Sequence, residues 1–161
     1  MKSSRLIGLG LALAVSLNVS AENIIFVGAM KEDINQSGVA EIGIKSSINE
    51  YVFGSASLMW FAHEDNLYDG INLSANVGVG TDIKAYVGAG GFVGQYRYCE
   101  YDREIGEEEC DYSYTGGLYP ELGAQISLYR LRAAAYSRFY KTFDAGNNEY
   151  KMFGLYIGYE M

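Results

Sequence analysis

The stretch that most constrains the fold is residues 69–93, where aliphatic and small or polar side chains alternate. Aliphatic residues occupy every second position from 71 to 79, and again from 83 to 89 after a break at Gly80, Thr81 and Asp82. A period of two puts successive side chains on opposite faces of a strand, and Gly and Asp between two such runs predict a tight hairpin. A soluble barrel would turn the aliphatic face inward. A membrane barrel would turn it outward into lipid, so the rest of the chain must decide.

The N-terminus predicts a cleaved export signal. Lys2 and Arg5 precede an apolar run at residues 6–17, and the Val-Ser-Ala sequence at residues 19–21 suits a cleavage position. The apolar run is too short to span a bilayer, and it lacks the periodicity of a retained amphipathic anchor. We therefore expect residues 1–21 to be removed and residues 22–161 to form one mature domain.

The charge of the mature chain excludes one class of partner. Residues 22–161 keep all 20 acidic residues and 10 of the 12 basic ones, for a formal charge of −10. Nucleic-acid binding requires a basic face, so no nucleic-acid partner is expected. The same charge argues against simple attraction to anionic lipid headgroups.

Composition and spacing indicate an all-β chain. It contains 15 Tyr, 7 Phe and 20 Gly but one Pro, which favours strands. Connections are predicted to be longer after the first, third, fifth and seventh strands, as in membrane barrels with long outer loops and short periplasmic turns. We therefore predict an eight-stranded antiparallel transmembrane β-barrel, with a secreted β-sandwich as the alternative. The predicted strands cover residues 23–30, 39–46, 51–61, 69–79, 83–98, 112–127, 131–141 and 149–161.

Charges at the middle of several strands lie on the polar face. In a narrow barrel they should pair across the interior, because an unpaired buried charge costs several kcal/mol. An eight-stranded barrel is just wide enough for its own side chains to fill, so no open pore is expected. Pro120 predicts a bulge in the sixth strand, or a strand that begins near Glu121. The predicted interior charges are Glu41, Lys45, Lys84, Glu121, Arg132, Arg138 and Glu160.

The signal sequence, the eight amphipathic strands and the last strand together resemble the small eight-stranded outer-membrane barrels, the OmpA-like and OmpX-like proteins of Gram-negative bacteria. Members of that superfamily end in an alternating strand that closes on an aromatic residue. Here Phe153, Leu155, Ile157 and Tyr159 fit the alternation, but the chain ends at Met161. The resemblance implies location in the outer membrane and contact with its lipid and lipopolysaccharide. It also implies roles in structural integrity, adhesion, defence against host factors or lipid modification.

The segment 99–111 is predicted to be an acidic loop closed by a disulfide between Cys99 and Cys110, the only cysteines. An exported chain meets an oxidising compartment, where such a pair bridges. Seven acidic residues surround the pair, which makes either a solvated tip or a site for Ca²⁺ or Mg²⁺. No metal site or cofactor is predicted from this spacing. An aromatic belt at the membrane interface is predicted at Tyr51, Trp60, Phe61, Tyr129 and Tyr159.

Three functions are compatible with these features. The first is a monomeric, non-enzymatic outer-membrane protein with a structural or surface-interaction role, whose acidic loop meets an extracellular protein. The second is an enzyme acting on outer-membrane lipid, which would require His63 beside a nucleophile such as Ser55 or Ser57. The third is a soluble, lipocalin-like secreted barrel that holds a small apolar ligand.

Overall fold

The computed structural model describes residues 22–32, 38–63, 66–102, 107–143 and 149–161, and of residues 62, 63, 66–68, 96–102 and 107–111 it describes the backbone. These residues form eight antiparallel strands that close into one barrel, with β1 paired to β8. The predicted fold class is therefore confirmed. The strands are β1 (Asn23–Glu32), β2 (Gly38–Ser47), β3 (Val52–His63), β4 (Asn66–Val79), β5 (Ile83–Asp102), β6 (Glu107–Leu128), β7 (Leu131–Thr142) and β8 (Glu149–Glu160).

The barrel has two ends with different connections. One end, which we call the turn end, has the connections at residues 48–51, 80–82 and 129–130. Glu22 and Met161 lie at the same end. The loop end is the opposite one, where β1 leads to β2, β3 to β4, β5 to β6 and β7 to β8. The predicted alternation of connection lengths is wrong at β3–β4, because residues 64–65 make this loop-end connection shorter than the turn at 48–51. The strands themselves, rather than the connections, lengthen at the loop end.

The β4–β5 hairpin shows which face points outward. Leu73 and Val87 are 58% and 62% exposed, whereas Asn72 and Tyr86 are buried in the interior at 0% and 5%. The aliphatic face therefore surrounds the barrel and the polar face fills it, which is the pattern of a membrane-spanning barrel. A lipocalin-like barrel would need the opposite orientation. Among the described residues, no helix is long and apolar enough to cross a bilayer.

Large aromatic side chains fill the interior, and glycine on the neighbouring strand makes room for them. A Cβ atom added to Gly90 would lie 2.3 Å from the Tyr119 ring, and one added to Gly123 would lie 2.6 Å from the Tyr86 ring. Each tyrosine ring therefore lies against a backbone position that has no side chain. A larger residue at either glycine would displace the ring. The β4–β5 turn requires its glycine for a different reason, because Gly80 has a φ of 117°.

Two predictions for β6 are wrong. The segment 99–111 is not a loop throughout, because β5 continues to Asp102 and β6 begins at Glu107. Pro120 causes no bulge, since β6 pairs with β7 in one register on both sides of it, Leu118 with Lys141 and Glu121 with Arg138. Pro120 instead occupies an outward position of an uninterrupted strand, where it withholds one donor from the ladder.

Candidate functional site

The centre of the interior holds one arginine between two glutamates. Arg138 of β7 lies directly opposite Glu121 of β6 in the register, and their side chains pair at 2.5 Å (Nε to Oε2). The Nη1 atom of Arg138 also lies 3.1 Å from Oε2 of Glu41, which comes from β2 on the far wall. All three side chains are at most 5% exposed. The barrel wall thus positions a buried ion triad that ties β2, β6 and β7 together.

Neutral groups complete the environment of Glu41. Its carboxylate accepts hydrogen bonds from the hydroxyls of Tyr136 and Ser57 in addition to Arg138. Ser57 in turn accepts a bond from the Asn72 amide at 3.2 Å. Burying a carboxylate costs free energy unless its lone pairs accept hydrogen bonds. The donors around Glu41 therefore allow two glutamates to be buried beside one arginine.

Lys45 is buried without a carboxylate within pairing distance among the described residues. Its ammonium donates to Oε1 of Gln125 at 3.0 Å and to the Tyr156 hydroxyl at 2.6 Å, and it lies 4.0 Å from the centre of the Phe53 ring. Cation–π contact of this kind replaces part of the lost hydration. With Glu41, Glu121 and Arg138, it brings the formal charge of the interior centre to zero.

The turn end has its own charged cluster. Arg132 pairs with Glu160 at 2.5 Å and with Glu22, and Lys84 donates to the backbone carbonyl of Glu50 at 2.8 Å. The seven predicted interior charges therefore divide into a central group and a group at the turn end. Sequence reasoning missed Glu22, and it missed the neutral partners Gln125, Tyr136 and Tyr156, whose only signal is their inward position in the alternation.

One small cavity lies among the described residues of the interior. The cavity bordered by Lys45, Glu121, Tyr86 and their neighbours measures about 10 Å³, which is room for a single water molecule. Among the described residues no three His, Cys, Asp or Glu side chains gather in a way that could hold a metal ion. The residues around this cavity are therefore packed and predominantly polar.

The residues of the lipid-enzyme alternative lie far apart. Ser57 bonds Glu41 inside the barrel, and Ser55 bonds Ser74 at 2.7 Å. His63 is the last residue of β3 at the loop end, six positions beyond Ser57 and thus roughly 20 Å along an extended strand. The strand geometry therefore holds these serines away from this histidine.

Most of the predicted aromatic belt is on the outside. Trp60 and Tyr159 are 43% and 50% exposed on outward strand positions, and Tyr51 and Tyr129 are exposed in turns. Phe61 is different because it follows Trp60 directly and so has the opposite orientation, packed against the interior aromatic residues. The belt prediction is wrong for Phe61.

The β5–β6 hairpin extends beyond the barrel. β5 and β6 have 20 and 22 residues, whereas the other strands have 10 to 14. Pairing of β5 with β4 ends at Arg97, and pairing of β6 with β7 ends at Gly117, yet β5 and β6 stay paired out to Asp102 and Glu107. The last residues of this hairpin therefore form a two-stranded ribbon at the loop end.

The register between β5 and β6 decides which residues of the ribbon stand opposite each other. Cys99 stands directly opposite Cys110; opposed Cα atoms in antiparallel strands are roughly 4.5–5.5 Å apart, inside the range that a disulfide spans. The side chains of both cysteines lie outside the described residues, so the disulfide stays a prediction. Five acidic residues occupy alternate backbone positions of the two ribbon strands. They are Glu100 opposite Glu109, Asp102 opposite Glu107, and Asp111 opposite Tyr98.

Comparison with known proteins places the fold. No protein-family model and no curated protein matches the chain. The N-terminal β-barrel domain of Pseudomonas aeruginosa OprF superposes with a TM-score of 0.68 at 13% identity, covering 88% of this chain and 100% of that domain. Ail, the attachment invasion locus protein of Yersinia pestis, in complex with the heparin analogue sucrose octasulfate, superposes with a TM-score of 0.51 at 15% identity over 88% of this chain and 97% of Ail.

A de novo designed transmembrane β-barrel also superposes, with a TM-score of 0.53 at 13% identity over 87% of this chain and 95% of the design. At these identities the likeness concerns the fold. The chain therefore has the fold of the small eight-stranded outer-membrane β-barrels.

Proposed function

We propose that the protein is a monomeric, non-enzymatic barrel of a bacterial outer membrane that presents its β5–β6 hairpin at the cell surface to a basic protein partner. The observation that carries the proposal is the ladder between β5 and β6, which continues past the last pairing of each strand with its other neighbour. The turn end, with Glu22 and Met161, then faces the periplasm, and residues 1–21 are the removed export signal.

The packed interior supports a role outside the barrel. The described cavity of about 10 Å³ has room for about one water molecule. Chemistry that depends on a partner must then take place on an exposed element, and the hairpin is the one that extends farthest from the barrel among the described residues.

The hairpin has two features of a binding element. Its outer strand edges have backbone groups that pair with neither β4 nor β7, and such edges accept an added strand. Carboxylates also oppose carboxylates, Glu100 against Glu109 and Asp102 against Glu107. Like charges directly opposite are unfavourable, and lysine or arginine side chains of a partner relieve the repulsion. The sulfated heparin analogue bound to Ail is an anion, and a ligand of that charge is not expected to bind this acidic face.

The test is binding of a basic probe to the barrel in detergent micelles. We expect poly-lysine to bind at low salt and to dissociate as salt screens the charges. The variant with Glu100→Gln, Asp102→Asn, Glu107→Gln, Glu109→Gln and Asp111→Asn should bind at least tenfold more weakly. The matched control removes exposed acids at the turn end, Glu50→Gln and Asp82→Asn, and should bind as the wild type does.

An equal loss for each charge removed, in the five-charge hairpin variant and the two-charge control, would show that binding follows net charge and would overturn the role of the hairpin. Binding of a sulfated polyanion with comparable affinity would overturn the charge assignment.

A further inference from the structure

One pair of neighbouring strands in the barrel has no chain connection. Among the described strands, each pair from β1–β2 to β7–β8 is joined by a turn or a loop, whereas β8 and β1 are the last and the first strand. We call the contact between β1 and β8 the seam; its ladder covers residues 24–32 of β1. At the turn end, covalent turns join β2 to β3, β4 to β5 and β6 to β7. The seam must be held at this end by non-covalent contacts.

One side chain at the turn end joins the two strands of the seam. Arg132 is the second residue of β7, and its Nη2 atom lies 2.5 Å from Oε2 of Glu160, the last residue of β8. Its Nε atom donates to Oε1 of Glu22, directly before β1, at 2.7 Å. The Arg132 side chain is 9% exposed, and the two carboxylate side chains are about one-third exposed. The guanidinium therefore bridges β1 and β8 at the end where the other strand pairs have turns.

The Nη1 atom of Arg132 holds the turn between β6 and β7. It donates to the backbone carbonyls of Tyr129 at 2.5 Å and of Leu131 at 3.2 Å. Tyr129 has a φ of 56°, which no other non-glycine residue among those described shares in sign, and side chains adopt this left-handed region at a cost in energy. The amide of Glu160 also donates to the Arg130 carbonyl at 2.8 Å. Arg132 therefore connects this turn, the end of β8 and the residue before β1.

Glu22 is held from both sides of the seam. Its backbone carbonyl accepts a hydrogen bond from the Ser47 amide of β2 at 3.1 Å, and its side chain reaches Arg132 of β7. The amide of Met161, directly after β8, donates to the Asn23 carbonyl at 2.9 Å. A single exposed ion pair contributes little to stability. A largely buried guanidinium that bonds two carboxylates and two carbonyls also fixes the positions of these groups, because its donors have a rigid geometry.

We propose that Arg132, through its bonds to Glu22 and Glu160, is a latch that closes the barrel in place of the turn that β8 and β1 lack. When these bonds are removed, the turn end of the seam opens while the rest of its ladder stays paired. Farther along the seam, the rings of Phe26 on β1 and Tyr156 on β8 pack with their centres 5.2 Å apart, and this contact limits the opening. The latch lies at the opposite end of the barrel from the β5–β6 hairpin, so it does not depend on the proposed function.

The test measures amide hydrogen exchange in the purified barrel in detergent micelles. A hydrogen bond to a charged group is among the stronger ones in a protein, so we expect Arg132→Gln to accelerate exchange by roughly tenfold in residues 23–25 and 159–161. Residues 28–31, beyond the Phe26 contact, should exchange as in the wild type.

Two further variants assign the effect to the latch. Glu22→Gln combined with Glu160→Gln keeps the guanidinium but removes both carboxylates, and it should accelerate exchange in the same residues. Lys84→Gln is the matched control, because Lys84 is a cation at the same end that donates to the Glu50 carbonyl and touches neither strand of the seam. It should leave exchange at the seam unchanged.

A disulfide across the seam separates the latch from other effects of the substitution. Ile25 stands opposite Tyr159, and both side chains are exposed on the outer face. Opposed Cα atoms are roughly 4.5–5.5 Å apart, within the range of a disulfide. In a chain with Cys99→Ser and Cys110→Ser, Ile25→Cys with Tyr159→Cys should abolish the acceleration caused by Arg132→Gln when oxidised, and reduction should restore it.

Three outcomes would overturn the latch. Wild-type exchange in Arg132→Gln would show that the ladder alone holds the seam. Equal acceleration along residues 24–32 would show a general loss of stability rather than an opening at one end. Acceleration that persists in the oxidised disulfide variant would place the opening outside the seam.

Discussion

The interior of the barrel and the β5–β6 ribbon contain the same kinds of charged residue but arrange them in opposite ways. In the interior, Glu121 stands opposite Arg138, so the register there pairs unlike charges. In the ribbon, Glu100 stands opposite Glu109, so the register opposes like charges. The difference shows that the register neutralises charge in the interior and leaves it uncompensated between the opposed positions of the ribbon.

The physical reason is hydration. Glu41, Glu121 and Arg138 are nearly inaccessible to solvent, and a buried charge without a counter-ion costs several kcal/mol. The ribbon extends past its neighbouring strands, where salt weakens the repulsion between opposed carboxylates without removing it. The interior therefore holds a charge with a counter-ion or, at Lys45, with hydrogen bonds and an aromatic ring instead, whereas the ribbon sets carboxylates opposite each other.

The largest effect is expected from removing the central cation. Arg138→Met leaves Glu41 and Glu121 buried without a counter-ion and should reduce the free energy of unfolding by about 3–5 kcal/mol, measured by urea titration in lipid vesicles. The triple variant Glu41→Gln, Glu121→Gln and Arg138→Met removes all three charges and should recover most of the loss. A triple variant less stable than the single one would contradict the role of charge pairing in the interior.

A smaller effect is expected from placing a charge on the outer face. Leu155 is 66% exposed near the middle of β8, so Leu155→Arg should cost about 2–4 kcal/mol in a bilayer. Tyr129→Arg, in a turn outside the strands, is the control and should leave the unfolding midpoint unchanged. If Leu155→Arg were also harmless, the outer face would be in water and the membrane-spanning assignment would fail.

The smallest effect on the barrel is expected from the ribbon. Replacing Cys99 and Cys110 by serine removes the predicted disulfide, which would be worth about 3 kcal/mol to the hairpin end that it closes, so amide hydrogen exchange in residues 98–102 should accelerate by roughly a hundredfold. The unfolding midpoint of the barrel should not move. Two thiols that react with an alkylating reagent in the untreated protein would show that no disulfide forms.

Prediction from the sequence succeeded where the alternation within one strand was enough to decide which way a side chain faces. The alternation in residues 69–93 predicted a hairpin with one aliphatic face, and the outward positions of Leu73 and Val87 agree with it. It failed at Phe61, because the alternation that turns Trp60 outward turns the adjacent Phe61 inward, and the belt prediction did not apply it there. It also failed at residues 99–111, since strands that extend into water need no apolar alternation and their composition is typical of a loop.

The sequence by itself determined that the chain forms eight amphipathic strands with charges on the polar face, because side-chain alternation is a property of each strand alone. The tertiary structure alone decided which charges meet, since Glu41 reaches Arg138 only when β2 and β7 lie on opposite walls of a closed barrel. The register between strands decided which side chains face the interior, because a shift of one residue would turn every side chain of a strand to the other face. Lys31 of β1 likewise stands opposite Phe153 of β8 only because closure places the first strand beside the last.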